Sequence, residues 1–251
     1  MRYIIFDLDD TLLNNQRRVT DYTLDVLHRM QKMGHKLVIN TARSKAYSQE
    51  YFDRIRPDYA ILNGGAQIVD GEGTTIFRAE LDADKTQAVV DDLLKLTENI
   101  TVQTEAVLYS HRGLYTGQNA VAFDFDRERV SFSALKIVAS LKEEKQAGEI
   151  AEKYALEYTS YLSGTFWRFN HPDATKAKGN RNLMKLVGGT PVDVIAFGDD
   201  LGDLEMLQQA GIGVLMKNAE PRYYGTCSHI TDFTNDEDGV ARFLAMHFGL
   251  E

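Results

Sequence analysis

The chain has 251 residues, 43% hydrophobic and 26% charged, enough apolar material for one large or two small globular domains with an ample core. Acidic side chains outnumber basic ones by 37 to 28, and the net charge of −9 disfavours nucleic acid or anionic lipid as a main partner, since both need a positive field. The single cysteine, Cys227, excludes an internal disulfide, a paired-thiol redox motif and a thiolate zinc site, and no apolar run approaches the roughly 20 residues of a membrane helix, so a cytoplasmic protein is expected.

Tyr3 to Phe6 is an apolar run suited to a buried strand, and it ends abruptly in Asp7-Leu8-Asp9-Asp10-Thr11. Like charges this close repel and drift towards protonation, so such a cluster is normally offset by a bound cation or a working proton. Leu12 to Val19 is polar and turn-rich, a small loop or hairpin over the strand end. Thr20 caps a helix running to about Met33, with Leu24, Leu27 and Met30 on one side and Gly34 as the stop. Lys36 to Asn40 is a second buried strand, and it empties into Thr41-Ala42-Arg43-Ser44.

A helix over Tyr47 to Ile55 breaks at Pro57, and Tyr59 to Leu62 forms a third strand running into Asn63-Gly64-Gly65. Strands joined by helices indicate a parallel sheet. The pattern then changes to a hairpin around Gly71-Glu72-Gly73. From Leu81 the chain reads as a separate unit, with a helix from about Asp84 to Thr97, strands over Thr101 to Ser110 and Leu114 to Gly117, a helix from Glu144 to Tyr154 and a strand over Gly164 to Phe169. A helix from Thr175 to Val187 resumes the first pattern, and Val192 to Phe197 is another core strand, ending in Gly198-Asp199-Asp200-Leu201-Gly202-Asp203. A short helix (Glu205 to Ala210), a strand (Ile212 to Met216), an edge strand at Ile230-Thr231 and a helix from Gly239 to Phe248 close the chain. The expected fold is α/β, a Rossmann-like parallel-sheet core of residues 1–81 and 174–251 with a smaller inserted α+β cap domain, 82–173, hinged near Leu81 and Pro172.

In an open α/β sheet ligands bind beyond the carboxyl ends of the strands. With the strands bearing Asp7, Thr41 and Asp199 as neighbours, carboxylates and a hydroxyl meet in one crevice, a donor set suited to magnesium, which takes one or two carboxylates plus substrate phosphate oxygens. The residues point to Asp7 as a nucleophile and Asp9 as its acid/base partner.

Asp7-Leu8-Asp9-Asp10-Thr11, Thr41-Ala42-Arg43, Lys178-Gly179 and Gly198 to Asp203 resemble, in order and spacing, the four motifs of haloacid-dehalogenase-like phosphatases, and most closely the Cof-type branch. Gly211-Ile212-Gly213-Val214 with Met216 to Ala219, and Asp236 to Ala241, match later features of that branch. The resemblance implies a magnesium-dependent phosphatase in which Asp7 becomes an aspartyl-phosphate, Asp9 protonates the leaving oxygen and then deprotonates water, and Thr41, Lys178 and Asn218 bind the phosphoryl group. Magnesium would be held by Asp7, the backbone carbonyl of Asp9 and Asp199, with Asp203 either a further ligand or a partner that orients the ligands. The implied substrate is a small phosphorylated metabolite such as a sugar phosphate, with the cap choosing the leaving group and the protein a monomer or homodimer. A phosphotransferase or phosphomutase of the same kind is the alternative activity. A phospho-acceptor switch is a further one, but it lacks the second acid at the position of Asp9.

Blander readings stand beside these. Lys176, two positions before Lys178, is a rival for the same role; Lys178 is preferred because Gly179 follows it. Thr41 and Asn218 can serve as caps, Asp200 as a spectator, and Arg43 as a structural ion pair. Asp10, Ala42 and Gly202 depart from the resembled pattern, the last replacing an asparagine and the hydrogen bond it would make.

Overall fold

Four consecutive buried residues form β1 (Tyr3–Phe6), as a strand covered on both faces requires. The computed structural model describes residues 1–117, 120–161 and 164–250. After β1 comes α1 (Asp21–Lys32), capped by the Thr20 hydroxyl, which accepts from the Thr23 amide at 3.0 Å, and then β2 (Lys36–Asn40). A second helix, α2 (Lys45–Ile55), ends at Arg56 in the left-handed region (φ 52°), ahead of Pro57. The strands β3 (Tyr59–Leu62), β4 (Gln67–Asp70) and β5 (Thr75–Arg78) follow, with β4 antiparallel to β3.

The next stretch contains α3 (Ala83–Leu94), β6 (Ile100–Gln103), β7 (Leu108–His111), β8 (Ala120–Phe123), β9 (Lys136–Ser140), α4 (Glu144–Tyr154), β10 (Glu157–Tyr161) and β11 (Phe166–Asn170). The chain then returns through α5 (Lys176–Val187), β12 (Val194–Gly198), α6 (Leu201–Gln209), β13 (Ile212–Leu215), β14 (His229–Ile230) and α7 (Gly239–Phe248). It divides into two units, one of residues 1–77 with 175 onward and the other of residues 78–174.

Among the described residues the first unit's sheet has the order β14-β13-β12-β1-β2-β3-β4-β5. From β14 to β3 every pairing is parallel. Strand order runs outward from β1 in both directions, so β1 and β12 flank the point where it reverses, the place where such sheets bind ligands. Alternation along β1 sends Ile4 and Phe6 into one core beside Leu27 of α1 and Leu244 of α7, and Tyr3 and Ile5 into a second beside Leu183 of α5 and Leu207 of α6.

The second unit is a six-stranded sheet of order β10-β11-β9-β6-β7-β8, antiparallel except for the β7–β8 pair. Ile137, Ala139, Trp167 and Phe169 pack with Val90 and Leu93 of α3 and Ile150 of α4. The single strand expected over Thr101 to Ser110 is two strands, because the Thr104 hydroxyl accepts from the Val107 amide at 3.0 Å and closes a turn between them. Leu114 to Gly117 is not a strand; the chain pairs next at β8. The strands β9 and β10 lie outside the expectation: β9 has only three apolar residues between Lys136 and Ser140, of which Ile137 and Ala139 join the core, and β10 is mostly polar.

Candidate active site

Parallel pairing sets Phe6 opposite both Ile39 and Phe197, so the residues that follow β1, β2 and β12 emerge at one edge of the sheet. Asp7 continues the ladder by one bond, its amide donating to the Phe197 carbonyl at 3.2 Å, and Thr41 does the same towards the Ile61 carbonyl at 2.9 Å. Beyond Asp7 the chain makes a tight turn from Leu8 to Leu12, in which Asp10 takes a left-handed backbone (φ 58°) and the Leu13 amide reaches the Leu8 carbonyl at 2.8 Å. That turn lets residues two apart face different ways.

Asp7, Asp199 and Asp203 each bring a carboxylate oxygen to within 4.8 Å of the others. The structure thus gathers three of the expected metal-ligating side chains. The Thr11 hydroxyl donates to Asp199 Oδ1 at 2.6 Å. Asp203, fully buried, accepts from the amides of Asp199 at 3.1 Å and Asp200 at 3.3 Å, which fixes its carboxylate at the start of α6. Gly198 makes this approach possible, because a Cβ there would lie 2.4 Å from Asp203 Cβ. The Gly202 position, where the resembled pattern has asparagine, lies beside Asp200, with Asp200 Oδ1 3.2 Å from where its Cβ would be.

The cation in this group is Lys176. Its Nζ lies 3.0 Å from Asp7 Oδ1 and 2.6 Å from Asp203 Oδ1, and the side chain is only 9% exposed. Lys178, the residue expected here, is two positions further along α5, and two residues turn a helix by roughly 200°, so only one of the pair can face the acids. What Lys178 contributes to the cap is its amide, which donates to the Thr175 hydroxyl at 3.1 Å. Gly179 does not mark its neighbour Lys178 as the lysine of the site. It is there because α5 packs closely on the sheet: a Cβ at Gly179 would sit 2.5 Å from Ile61 Cγ2. The usable signal was topological, since a helix leading into a parallel strand starts over the carboxyl edge of the sheet, and Lys176 is its first residue.

Asp9 lies apart from the three acids. Arg43 donates from Nε to Oδ2 at 2.8 Å and from Nη2 to Oδ1 at 2.6 Å, and Arg17 adds a third bond to Oδ1 at 2.6 Å. Thr41, buried, accepts the Arg43 amide on its hydroxyl oxygen at 3.2 Å, which keeps the hydroxyl proton for another acceptor. Both ends of the Asn218 amide are occupied: Nδ2 donates to the Asp10 carbonyl at 2.7 Å and Oδ1 accepts from the Asn235 amide at 3.0 Å. Asn218 therefore ties together two loops at the site, and its exposed amide nitrogen carries a second hydrogen that the bond to Asp10 does not use.

The electrostatics follow from burial and crowding. Burial raises the Asp7 carboxyl well above the ordinary range, against the pull of Lys176, with Asp203 and Asp199 raising it further. Burial, then the charge of Asp203, pushes Asp199 up to about 7, while the Thr11 hydroxyl opposes the shift. Asp203 is raised by burial despite Lys176. For Asp9 burial works upward, but the Arg43 hydrogen bonds, its charge and that of Arg17 outweigh it and hold the carboxyl below the usual range. Lys176 loses by burial and gains more from Asp203 and Asp7, so its ammonium is raised. Three crowded carboxylates against one ammonium leave an excess of negative charge in a buried site, which suits a hard divalent cation.

Residues 4–244 match the sequence profile of haloacid dehalogenase-like hydrolases. The chain belongs to that family. Within it the Cof-type pattern holds, and this haloacid dehalogenase-like hydrolase is an enzyme of the phosphatase kind. It is 28% identical over 249 residues to the 5-amino-6-(5-phospho-D-ribitylamino)uracil phosphatase YcsE of Bacillus subtilis, covering 97% of this chain and 94% of that one. It is 25% identical over 288 residues to the phosphatase YwpJ of the same organism, covering 97% and 99%. Its fold is similar to that of a haloacid dehalogenase-like hydrolase from Bacteroides thetaiotaomicron (TM-score 0.84, 21% identity, 98% and 99% covered) and of the subclass IIB sugar phosphatase BT4131 (TM-score 0.83, 22% identity, 100% of each). No helix among its described residues is long and apolar enough to cross a membrane.

Proposed function

We propose that this enzyme is a magnesium-dependent phosphatase that hydrolyses a small phosphomonoester, a sugar phosphate or similar metabolite, through an aspartyl-phosphate on Asp7. The observation that carries the reading is the placement of Asp7 at the end of β1, 3.0 Å from the Lys176 ammonium and grouped with Asp199 and Asp203. Oxygen donors alone, three of them anionic and held by backbone amides, a hydroxyl and an ammonium, fit magnesium. Asp7, Asp199 and Asp203 would hold the ion, with the Asp9 carbonyl as a further donor. When bound it would neutralise charge on the transferring phosphoryl oxygens.

The chain's own groups divide the chemistry. An Asp7 oxygen forms a bond to phosphorus as the bond from phosphorus to the ester oxygen breaks, and Asp9 gives that oxygen its proton. In the second step a water oxygen bonds to phosphorus, Asp9 takes the water proton, and the bond from Asp7 to phosphorus breaks. Thr41 donates its free hydroxyl proton to a phosphoryl oxygen, and Lys176 opposes the negative charge at Asp7 throughout. As held by Arg43 and Arg17, Asp9 is the ionised form, fit for the second step; to serve as the acid of the first it has to leave Arg43 and gain a proton. We assign the choice of leaving group to the unit of residues 78–174.

The test is phosphate release over a panel of sugar, polyol and ribitylaminouracil phosphates with magnesium, with EDTA and with Asp7→Asn. Release that needs magnesium and vanishes in Asp7→Asn is expected. Turnover in Asp7→Asn equal to that of the unaltered enzyme would sink the assignment of the nucleophile.

A further inference from the structure

Asn40 is the last residue of β2, stands directly before Thr41 and is completely buried. Its Nδ2 donates to the main-chain oxygen of Lys176 at 3.0 Å and to Oδ1 of Asn180 at 2.7 Å, with Met206 Sδ a third neighbour at 3.4 Å. A backbone carbonyl can only accept, so the nitrogen of the amide is the atom that faces α5. The other end of the amide gains nothing: Asn40 Oδ1 is buried and without a hydrogen-bond partner.

A buried amide with an unsatisfied oxygen costs stability, and a leucine at the end of a buried strand would avoid that cost. Nor does the helix need the bond, because carbonyls in the first turn already have partners within the helix; the orphan groups there are the amides. What the amide does is reach two successive turns of α5 at once, since Lys176 and Asn180 are four residues apart and share a face. Two bonds to points one turn apart oppose both rotation of the helix about its axis and sliding along it. Lys176, whose Nζ lies between Asp7 and Asp203, is the residue that such movement would displace.

We propose that Asn40, acting with Asn180, is a positioning residue that holds Lys176 between the nucleophile and Asp203. The inference rests on the reading of Asp7 as nucleophile for its kinetic consequence, and on geometry alone for its structural one.

Two measurements on the magnesium-loaded full-length protein separate these. Crystal structures of Asn40→Leu and Asn180→Leu are expected to show Lys176 Nζ moved beyond about 4 Å from at least one of its two carboxylates, the limit of an ion pair. In kinetics, with whichever phosphomonoester the panel yields, each variant is expected to lose at least about tenfold in kcat with a smaller change in KM. Asn180→Asp, which keeps an oxygen for Asn40 Nδ2, should lose less than Asn180→Leu. Asn40→Leu should cost no more than about twofold in a Lys176→Met background, because a residue acting through Lys176 has nothing left to position. Lys176 unmoved in both folded variants, or equal kcat losses in the presence and absence of the lysine, would overturn the proposal. If only one variant folds, it decides. An enzyme that releases no phosphate from any substrate would count against the phosphatase reading, while the crystal structures would still decide the positioning role.

Discussion

Arg43 holds Asp9 with a two-bond fork, 2.8 Å from Nε to Oδ2 and 2.6 Å from Nη2 to Oδ1, and so keeps ionised the carboxyl that has to carry a proton in the proposed reaction. Such forks are geometrically specific as well as strong. Burial favours the protonated form, and the arginines decide the balance.

Replacing Arg43 by glutamine is therefore expected to raise the Asp9 carboxyl. The sign for stability follows. A carboxyl lowered in the folded state contributes stability above its unfolded value of about 3.9, and that contribution is lost as pH falls through the lower folded value. Arg43→Gln should melt below the unaltered protein at pH 7, and the gap should close as pH falls below 4. A gap independent of pH in thermal melts would show that Arg43 acts by packing on Tyr51 instead.

Lys176 and Lys178 offer a direct contrast. Lys176→Met leaves Asp7 and Asp203 buried without their ammonium, and loss of one partner of a buried pair costs about 3–5 kcal/mol. Turnover should fall by a factor of at least about 100, roughly what a preorganised charge contributes at a reacting centre. Lys178→Met is expected to lose much less in the same assay. The reverse order would restore Lys178 to the site.

Magnesium dependence of stability should change with pH. The Asp199 carboxyl is raised to about 7, so without metal its ionisation between about pH 4 and 7 weakens the folded state. In EDTA the melting temperature should decline across that window. Added magnesium should raise it more at pH 8 than at pH 5.5, because the ligands bind as carboxylates and a ligand of the native state stabilises by mass action. Equal shifts at both pH values would argue against Asp199 as a ligand.

Gly65 brings the turn after β3 against the start of α5. Its φ is +104°, and a Cβ there would lie 2.2 Å from the Thr175 carbonyl oxygen. Gly65→Ala should cost about 3 kcal/mol from backbone strain and overpacking, read from denaturant melts. It should also lower turnover, since the displaced segment carries Lys176.

The order of the polar strand ends was legible along the chain because buried parallel strands are unbroken apolar runs, and the first charged residue after each marks the edge of the sheet. Asp7, Asp199 and Asp203 needed only that β1 and β12 be neighbours. Side-chain direction within α5 was not legible: Lys176 and Lys178 differ by roughly 200° about the helix axis, and which faces the acids depends on how closely Gly65 and Gly179 let the helix settle on β3. Arg43, Lys176 and Asp10, which bond Asp9, Asn40 and Asn218, lie 34, 136 and 208 residues from them, across loops whose paths carry no periodic signal. The sequence alone thus determined which residue types meet at the sheet edge, through strand periodicity and spacing. Only the tertiary structure decided which lysine neutralises the nucleophile and which arginines hold the acid, because those contacts depend on distances between elements that local pattern does not encode.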